Sequence, residues 1–229
     1  VVGQIHRGLL RYTPSGDVKP DLATDWTVSA DNRIYRFKLR ENATFSDGTK
    51  IEATHVVVSF ARIFSSGAAI GADIDYIEGT ADFLKTQDLS KLGIKAVSSN
   101  EVEFRLKHAS SLFLKHLAVV DCAVLAVKDF RQPIKFDNTF AYSGPYKVEK
   151  QDGSTLIVKK WRDDALQSKT PPREVHFIAT SKSPTELADT GETDCLDHDI
   201  IPVDVKERLL KKKWLETATE LIGETYVIL

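Results

Sequence analysis

The sequence has no methionine, only two cysteines, and almost no net charge, −2 over 229 residues. It also lacks any stretch near the ~18 consecutive apolar residues that a membrane span needs. Its most apolar run, Leu117 to Val127, is short and interrupted by Asp121. The missing basic excess argues against a nucleic-acid-binding domain in this segment. The two cysteines, Cys122 and Cys195, form neither a CxxC pair nor a zinc spacing. Three readings stay open for them: buried thiols, a mutual disulfide whose pairing spacing does not reveal, or, least supported, a nucleophile. With no initiator Met and an opening of Val1-Val2-Gly3-Gln4-Ile5, the chain reads as an excised segment. The absence of a targeting signal then says nothing of the parent protein. The end at Leu229, without cap or polar tail, reads the same way.

What is present is an ordinary globular balance: 42% hydrophobic and 28% charged residues. That is enough for one large domain or two small ones. Period-2 alternation predicts three hairpins. In the first, Trp26-Thr27-Val28-Ser29 turns through Ala30–Arg33 into Ile34–Leu39, with Tyr35, Phe37 and Leu39 inward and Arg36, Lys38 and Arg40 solvated. The second joins Ile94–Val97 to Glu101–Leu106, with Val102, Phe104 and Leu106 inward. The third joins Tyr146–Lys150 to Thr155–Lys160 around Asp152-Gly153. Asp47-Gly48 predicts a tight turn with positive φ rather than a metal loop, because no carboxylate cluster accompanies it.

Helical signals lie between these hairpins. Gln4–Leu10 reads as an amphipathic turn leading into a strand start at Leu9–Tyr12, and Asp21–Trp26 as a short helical piece capped by Asp21. His55–Phe64 reads as a helix with Thr54 as N-cap, and Thr80–Lys85 and Ser111–Leu117 as short helices. Val119–Val127 is predicted to be a buried strand, and Glu174–Ala179 another. Ser183-Pro184-Thr185-Glu186 has helix-start chemistry. Pro202–Lys212 reads as an amphipathic helix, and Trp214–Thr219 and Thr225–Leu229 as strands.

Catalytic patterns are weak. No GxSxG elbow or phosphate-binding glycine loop is present, so a hydrolase finds no nucleophile–base pair. His55, His108, His116, His176 and His198 are scattered rather than set at ligand spacing. The stretch Asp194–Asp199 around His198 is the richest in ligand types, but a solvated reading is simpler. The basic run Lys206, Arg208, Lys211, Lys212 and Lys213 suits a helix C-terminus. No catalytic residue, metal site or cofactor is assigned.

Three blocks then stand out: Asp21–Trp26 (DLATDW), Tyr35–Thr49 (YRFKLRENATFSDGT) and Ala53–Arg62 (ATHVVVSFAR). Further on come Tyr142-Ser143-Gly144-Pro145-Tyr146 and Gly191-Glu192-Thr193-Asp194. In this order and spacing they resemble the family 5 extracellular solute-binding proteins, the oligopeptide- and dipeptide-binding class. Those proteins show an LAxxW turn, a YxFxLR…FxDG hairpin, an AxDVxxSxxR helix, a GTGPY junction and a GEID element. The resemblance covers about Ile5 to Leu229. The sequence departs from it at His55, where the family has Asp, at Tyr142-Ser143 in place of Gly-Thr, and in a shorter segment after Arg62.

The resemblance implies an α+β fold of the periplasmic-binding-protein type (class II, cluster C), with a mixed sheet, hairpins and short helices. It implies a first lobe in which residues 1–140 form an extra subdomain and 141–229 a partial core leading into a second lobe. It also implies a non-enzymatic, cofactor-free binding component of an ABC importer. That component would capture a peptide or similar small solute, work with permease subunits, and be monomeric as a fragment. Its place would be the periplasm or the outer face of the bacterial cytoplasmic membrane, with or without a lipid anchor. The alternative is the solute-sensing region of a bacterial transcriptional regulator. The residues assigned to ligand or hinge are Tyr142, Ser143 and Gly144, at the family's crossing between subdomains, where small residues allow close backbone approach.

Overall fold

The computed structural model describes residues 1–13, 15–163, 171–183, 186, 187, 190, 192 and 193. It also describes the backbone of the strands Cys195–Asp197, Leu215–Ala218 and Thr225–Ile228. The chain divides into two compact units: Val1–Arg11 with Val18–Ile178, and Tyr12–Asp17 with Ala179–Leu229.

The first unit begins with helix α1 (Val2–Ile5) and strands β1 (Leu10–Tyr12) and β2 (Val18–Pro20), which pair with each other. Its larger sheet is antiparallel in the order β3 (Ala23–Val28), β4 (Ile34–Leu39), β6 (Glu101–Arg105), β5 (Ile94–Ser98). Alternation along β4 is as predicted: Tyr35, Phe37 and Leu39 are buried and Arg36 and Lys38 exposed. Val102, Phe104 and Leu106 are fully buried. Glu103 lies opposite Arg36 in the register yet is buried, because Arg36 and Arg105 each reach its carboxylate at 2.7 Å. Burial opposes its charge, but the two guanidinium groups outweigh that and hold its carboxyl below the ordinary range.

Helix α2 (Ala53–Ser66) covers this sheet with Val56, Phe60 and Ile63. Phe60, Phe37 and Phe113 stand edge-on or tilted around Phe104, with ring centroids 5.1, 5.6 and 5.5 Å from it. Burying each such ring contributes roughly 2–3 kcal/mol. The helix ends at Gly67, whose left-handed φ of 67° suits a residue without Cβ.

A second antiparallel sheet of this unit has the order β7 (Tyr146–Asp152), β8 (Thr155–Lys160), β9 (Glu174–Ile178). Tyr146, Val148 and Val158 are buried there with Ile5 and Tyr142. Helices α3 (Ala69–Asp73), α4 (Thr80–Thr86) and α5 (Phe113–Leu117) complete the unit, the last two where short helices are expected. In the other unit the backbone strands β10 (Cys195–Asp197), β11 (Leu215–Ala218) and β12 (Thr225–Ile228) pair antiparallel around a central β12. The last two lie where strands are predicted. Ser183 and Glu186 cap one another reciprocally at 2.8 and 3.2 Å, the expected helix-start chemistry.

Four local expectations fail. Asp21–Trp26 is not helical: Ala23–Val28 is strand β3, because pairing with β4 overrides a weak helical preference. The α2 N-cap is Glu52, not Thr54. The Glu52 side chain accepts from the backbone of His55, and His55 Nδ1 accepts the Glu52 amide at 3.1 Å. The imidazole lone pair thus replaces a capping-box carboxylate at the position where the resemblance expects Asp. Val119–Val127 is not a strand but a 3₁₀ turn at Val120–Cys122 followed by extended chain. Its amides are taken singly, Val124 by the Arg7 carbonyl and Leu125 by Ser59 Oγ. The turn expected over Gln4–Leu10 is instead a helix that ends at Ile5. The predicted helix Pro202–Lys212, the basic run and His198 lie outside the described residues.

Candidate functional site

Tyr142, Ser143 and Gly144 are buried and sit where five separate stretches of the first unit converge. The Gly144 amide donates to the Ile5 carbonyl at 2.9 Å, and the Arg7 amide donates to Ser143 Oγ at 3.0 Å. Ser143 Oγ in turn donates to the Val124 carbonyl at 2.9 Å. Tyr142 and Ser46 exchange bonds in both directions, at 2.9 and 3.0 Å. The Trp161 indole donates to the Gly144 carbonyl at 2.7 Å, and Arg162 donates to the carbonyls of Ser143 at 2.6 Å and Thr44 at 3.1 Å. Arg162 also lies over the Trp161 ring, 4.7 Å from its centroid.

Ser46 belongs to the Asp47-Gly48 turn, where Gly48 has the predicted positive φ, 87°, and the Asp47 carboxylate accepts the Thr49 amide. Besides reversing the chain, the turn presents Ser46 to the junction. The close backbone approach expected at Gly144 is real. A Cβ there would lie 2.5 Å from the Ile5 carbonyl carbon and 2.6 Å from the Gln4 oxygen. In this structure the chain's own N-terminal segment occupies that space.

Three further residues carry no spacing signal in the sequence. Trp161 and Arg162 follow β8 as an aromatic and a cation, and only the fold reveals what they reach. His6 is buried, with Phe136, Phe140 and Tyr142 around its ring at centroid distances of 5.4, 6.0 and 5.3 Å. Neither imidazole nitrogen has a hydrogen-bond partner. Burial lowers its pKa to about 4. Aromatic faces attract a cation by about 0.5–2 kcal/mol. Taking a charge out of water costs several, so the neutral ring prevails. Burial likewise raises the Tyr142 phenol above its ordinary value, with a smaller push from Asp137. Its hydroxyl donates to the Asp137 carbonyl at 2.9 Å.

The remaining chemistry is sparse. Cys122 is a free buried thiol, and desolvation pushes its pKa up to about 12, which argues against the nucleophile reading for that residue. His116 Nδ1 meets the Tyr76 hydroxyl at 2.9 Å, and His176 pairs with Glu174 on the surface. Among the described residues no group of three or more His, Cys, Asp or Glu could hold a metal ion. An apolar hollow of about 320 Å³ lies between α2, α3 and α4, lined by Phe64, Ala72 and Leu84 among others, and shares no residue with the junction. Of the Gly191–Asp194 element, Glu192 and Thr193 are described, and Glu192 receives Lys182 at 2.7 Å.

The same fold and sequence pattern recur among known proteins. The family model described as "Bacterial extracellular solute-binding proteins, family 5 Middle" matches residues 17–228. The periplasmic murein peptide-binding protein MppA of Escherichia coli (strain K12) is 33% identical over 114 residues, which is 46% of this chain and 20% of that protein. The probable D,D-dipeptide-binding periplasmic protein DdpA of the same organism is 30% identical over 166 residues, 67% of this chain and 29% of that protein. The chain thus spans between a fifth and a third of the length of these relatives. Among solved structures, the substrate-binding domain of an oligopeptide ABC transporter from Bacillus anthracis str. Ames superimposes with a TM-score of 0.78 at 23% identity. That match covers 94% of this chain and 43% of the other. The fold is that of the periplasmic peptide-binding proteins.

Proposed function

The chain belongs to the family 5 bacterial extracellular solute-binding proteins, and we propose that it forms part of the binding component of an ABC importer that captures a peptide or similar small solute. The match across residues 17–228 carries this reading. MppA and DdpA are both named as binding proteins, which favours a carrier over the sensing region of a transcriptional regulator. The family is one of binding proteins, and our proposal extends this to the absence of any catalytic step or cofactor. It places the protein in the periplasm or on the outer face of the bacterial cytoplasmic membrane, with permease subunits as partners and the fragment monomeric.

Within this reading, residues 1–140 are the added subdomain and 141–229 part of the core of the first lobe. Tyr142, Ser143 and Gly144 bear on the ligand by setting the frame. They fix the approach of Ile5–Arg7, the Ser46 turn and the Trp161–Arg162 corner to one another. Recognition of an extended peptide calls for main-chain hydrogen bonds and for charge partners at its ends. Capture then follows by closure of two lobes around it. The test is calorimetric titration of a peptide mixture into the full-length parent and into this chain. Measurable binding by the parent, much weakened or lost in the chain, is expected. Equal affinity of the two would count against the reading.

A further inference from the structure

His6 occupies the middle of the segment whose two flanking residues are tied to the junction, Ile5 through its carbonyl to Gly144 and Arg7 through its amide to Ser143. Its ring is buried, both nitrogens lack partners, and three aromatic rings surround it. A phenyl ring would fill the same box, so packing alone does not call for an imidazole. The backbone here has no slack: beside Gly144 the Ile5 carbonyl carbon, the Gln4 oxygen and the His6 nitrogen all lie within 2.8 Å of where a Cβ would stand. The ring therefore sits on a backbone that is itself held against the junction, between two residues that are bonded to it.

We propose that His6 is an acid-released latch: protonation expels its ring from the Phe136–Phe140–Tyr142 box and opens Ile5–Arg7 from Ser143 and Gly144. The groups on the surrounding elements supply no counter-ion. On the loop carrying the two phenylalanines these are Arg131, Lys135 and Asp137, and the Asp137 carboxylate accepts the Thr139 amide at 2.9 Å. At the junction the group is the Tyr142 phenol. In the segment itself it is Arg7, whose guanidinium pairs with Asp21 at 3.3 Å. On β7, Lys147, Glu149 and Lys150 alternate with or follow the inward Tyr146 and Val148, and Glu149 faces Lys159 at 3.8 Å. None of them bonds either imidazole nitrogen. An imidazolium in the box would be a charge without water or partner, and the system relieves it by opening. The latch depends on no particular solute and is separate from the proposed transport role.

Hydrogen exchange at the Arg7 and Gly144 amides, corrected for intrinsic pH dependence, tests it. Between about pH 7 and about pH 4.5 the opening equilibrium at both amides should rise together by roughly fifty-fold. In His6→Phe it should stay flat. An equal rise in His6→Phe would overturn the latch. Should that variant not fold, NMR titration of the His6 ring in the unaltered chain decides. A ring midpoint below the ordinary histidine value, with the Arg7 and Gly144 amide resonances shifting at the same midpoint, supports the latch. A ring that titrates while those amides stay put, or that titrates at the ordinary value, overturns it.

Discussion

The two larger sheets of the first unit are both built on antiparallel hairpins and are buried in different ways. In the four-stranded sheet one face is closed by α2 and by interlocked rings, and burial follows the strand period along the central strand β4. In β7–β8–β9 full burial is confined to Tyr146, Val148 and Val158, while Leu156, Val175 and Phe177 are only partly covered. The first sheet is stabilised by apolar area supplied by a helix between its own strands in sequence. The second is anchored at one end by a polar knot whose partners come from distant stretches of chain, Ile5–Arg7, Ser46 and Val124 among them. Alternating residues suffice for the one, and buried hydrogen bonds decide the other.

That contrast can be broken by substitution. Phe104→Ala should cost about 3–5 kcal/mol in urea unfolding, since its ring is fully buried among Phe37, Phe60 and Phe113. Phe177→Ala, at the partly covered sheet, should cost about 1 kcal/mol; equal losses would erase the distinction.

Acid should act on the second sheet's anchor. His6 has a folded value lowered to about 4, so the unfolded chain binds the proton first. Its contribution is fully present above the unfolded value of about 6.5 and is lost as pH falls from there towards 4. The loss should be about 3 kcal/mol in denaturation midpoints measured across that window, and absent in His6→Phe.

Ser143→Ala leaves the Arg7 amide and the Val124 carbonyl without their buried partner. It should cost about 1–3 kcal/mol by the same assay. The smallest effect is expected at the α2 cap. His55→Ala should lose about 1 kcal/mol, and His55→Asp, which restores an acceptor for the Glu52 amide, should lose less.

The three hairpins and the α2 helix were legible because their apolar residues recur in the sequence at two residues or at about 3.6. Asp21–Trp26 misled because its capping-type Asp and short length favour a turn of helix. Its strand state depends on β4, which no local signal reports. Val119–Val127 misled in the opposite sense: an apolar run implies a buried strand only if a ladder partner exists. Here the amides go to Arg7 and Ser59 instead. At the junction, Gly-Pro marked a special backbone, and Gly144 does need the absence of a Cβ. What stands against it, Ile5–His6, lies far away in the chain, and separation of that kind leaves no periodicity to read. His6 itself was silent, because a single histidine has no spacing to read.

The bond from Arg7 to Ser143 spans 136 positions of chain, and that span sets a schedule. Synthesis at roughly 5–20 residues per second brings the junction out of the ribosome on the order of ten seconds after the segment it must receive. Until then the Ile5 carbonyl and the Arg7 amide lack their junction partners Gly144 and Ser143, while the strands of the four-stranded sheet and α2 have all been made. Closing so long a loop is entropically costly and comes late. Within this chain the Ile5–Arg7 segment is thus made well before the junction and completes its folding only after it.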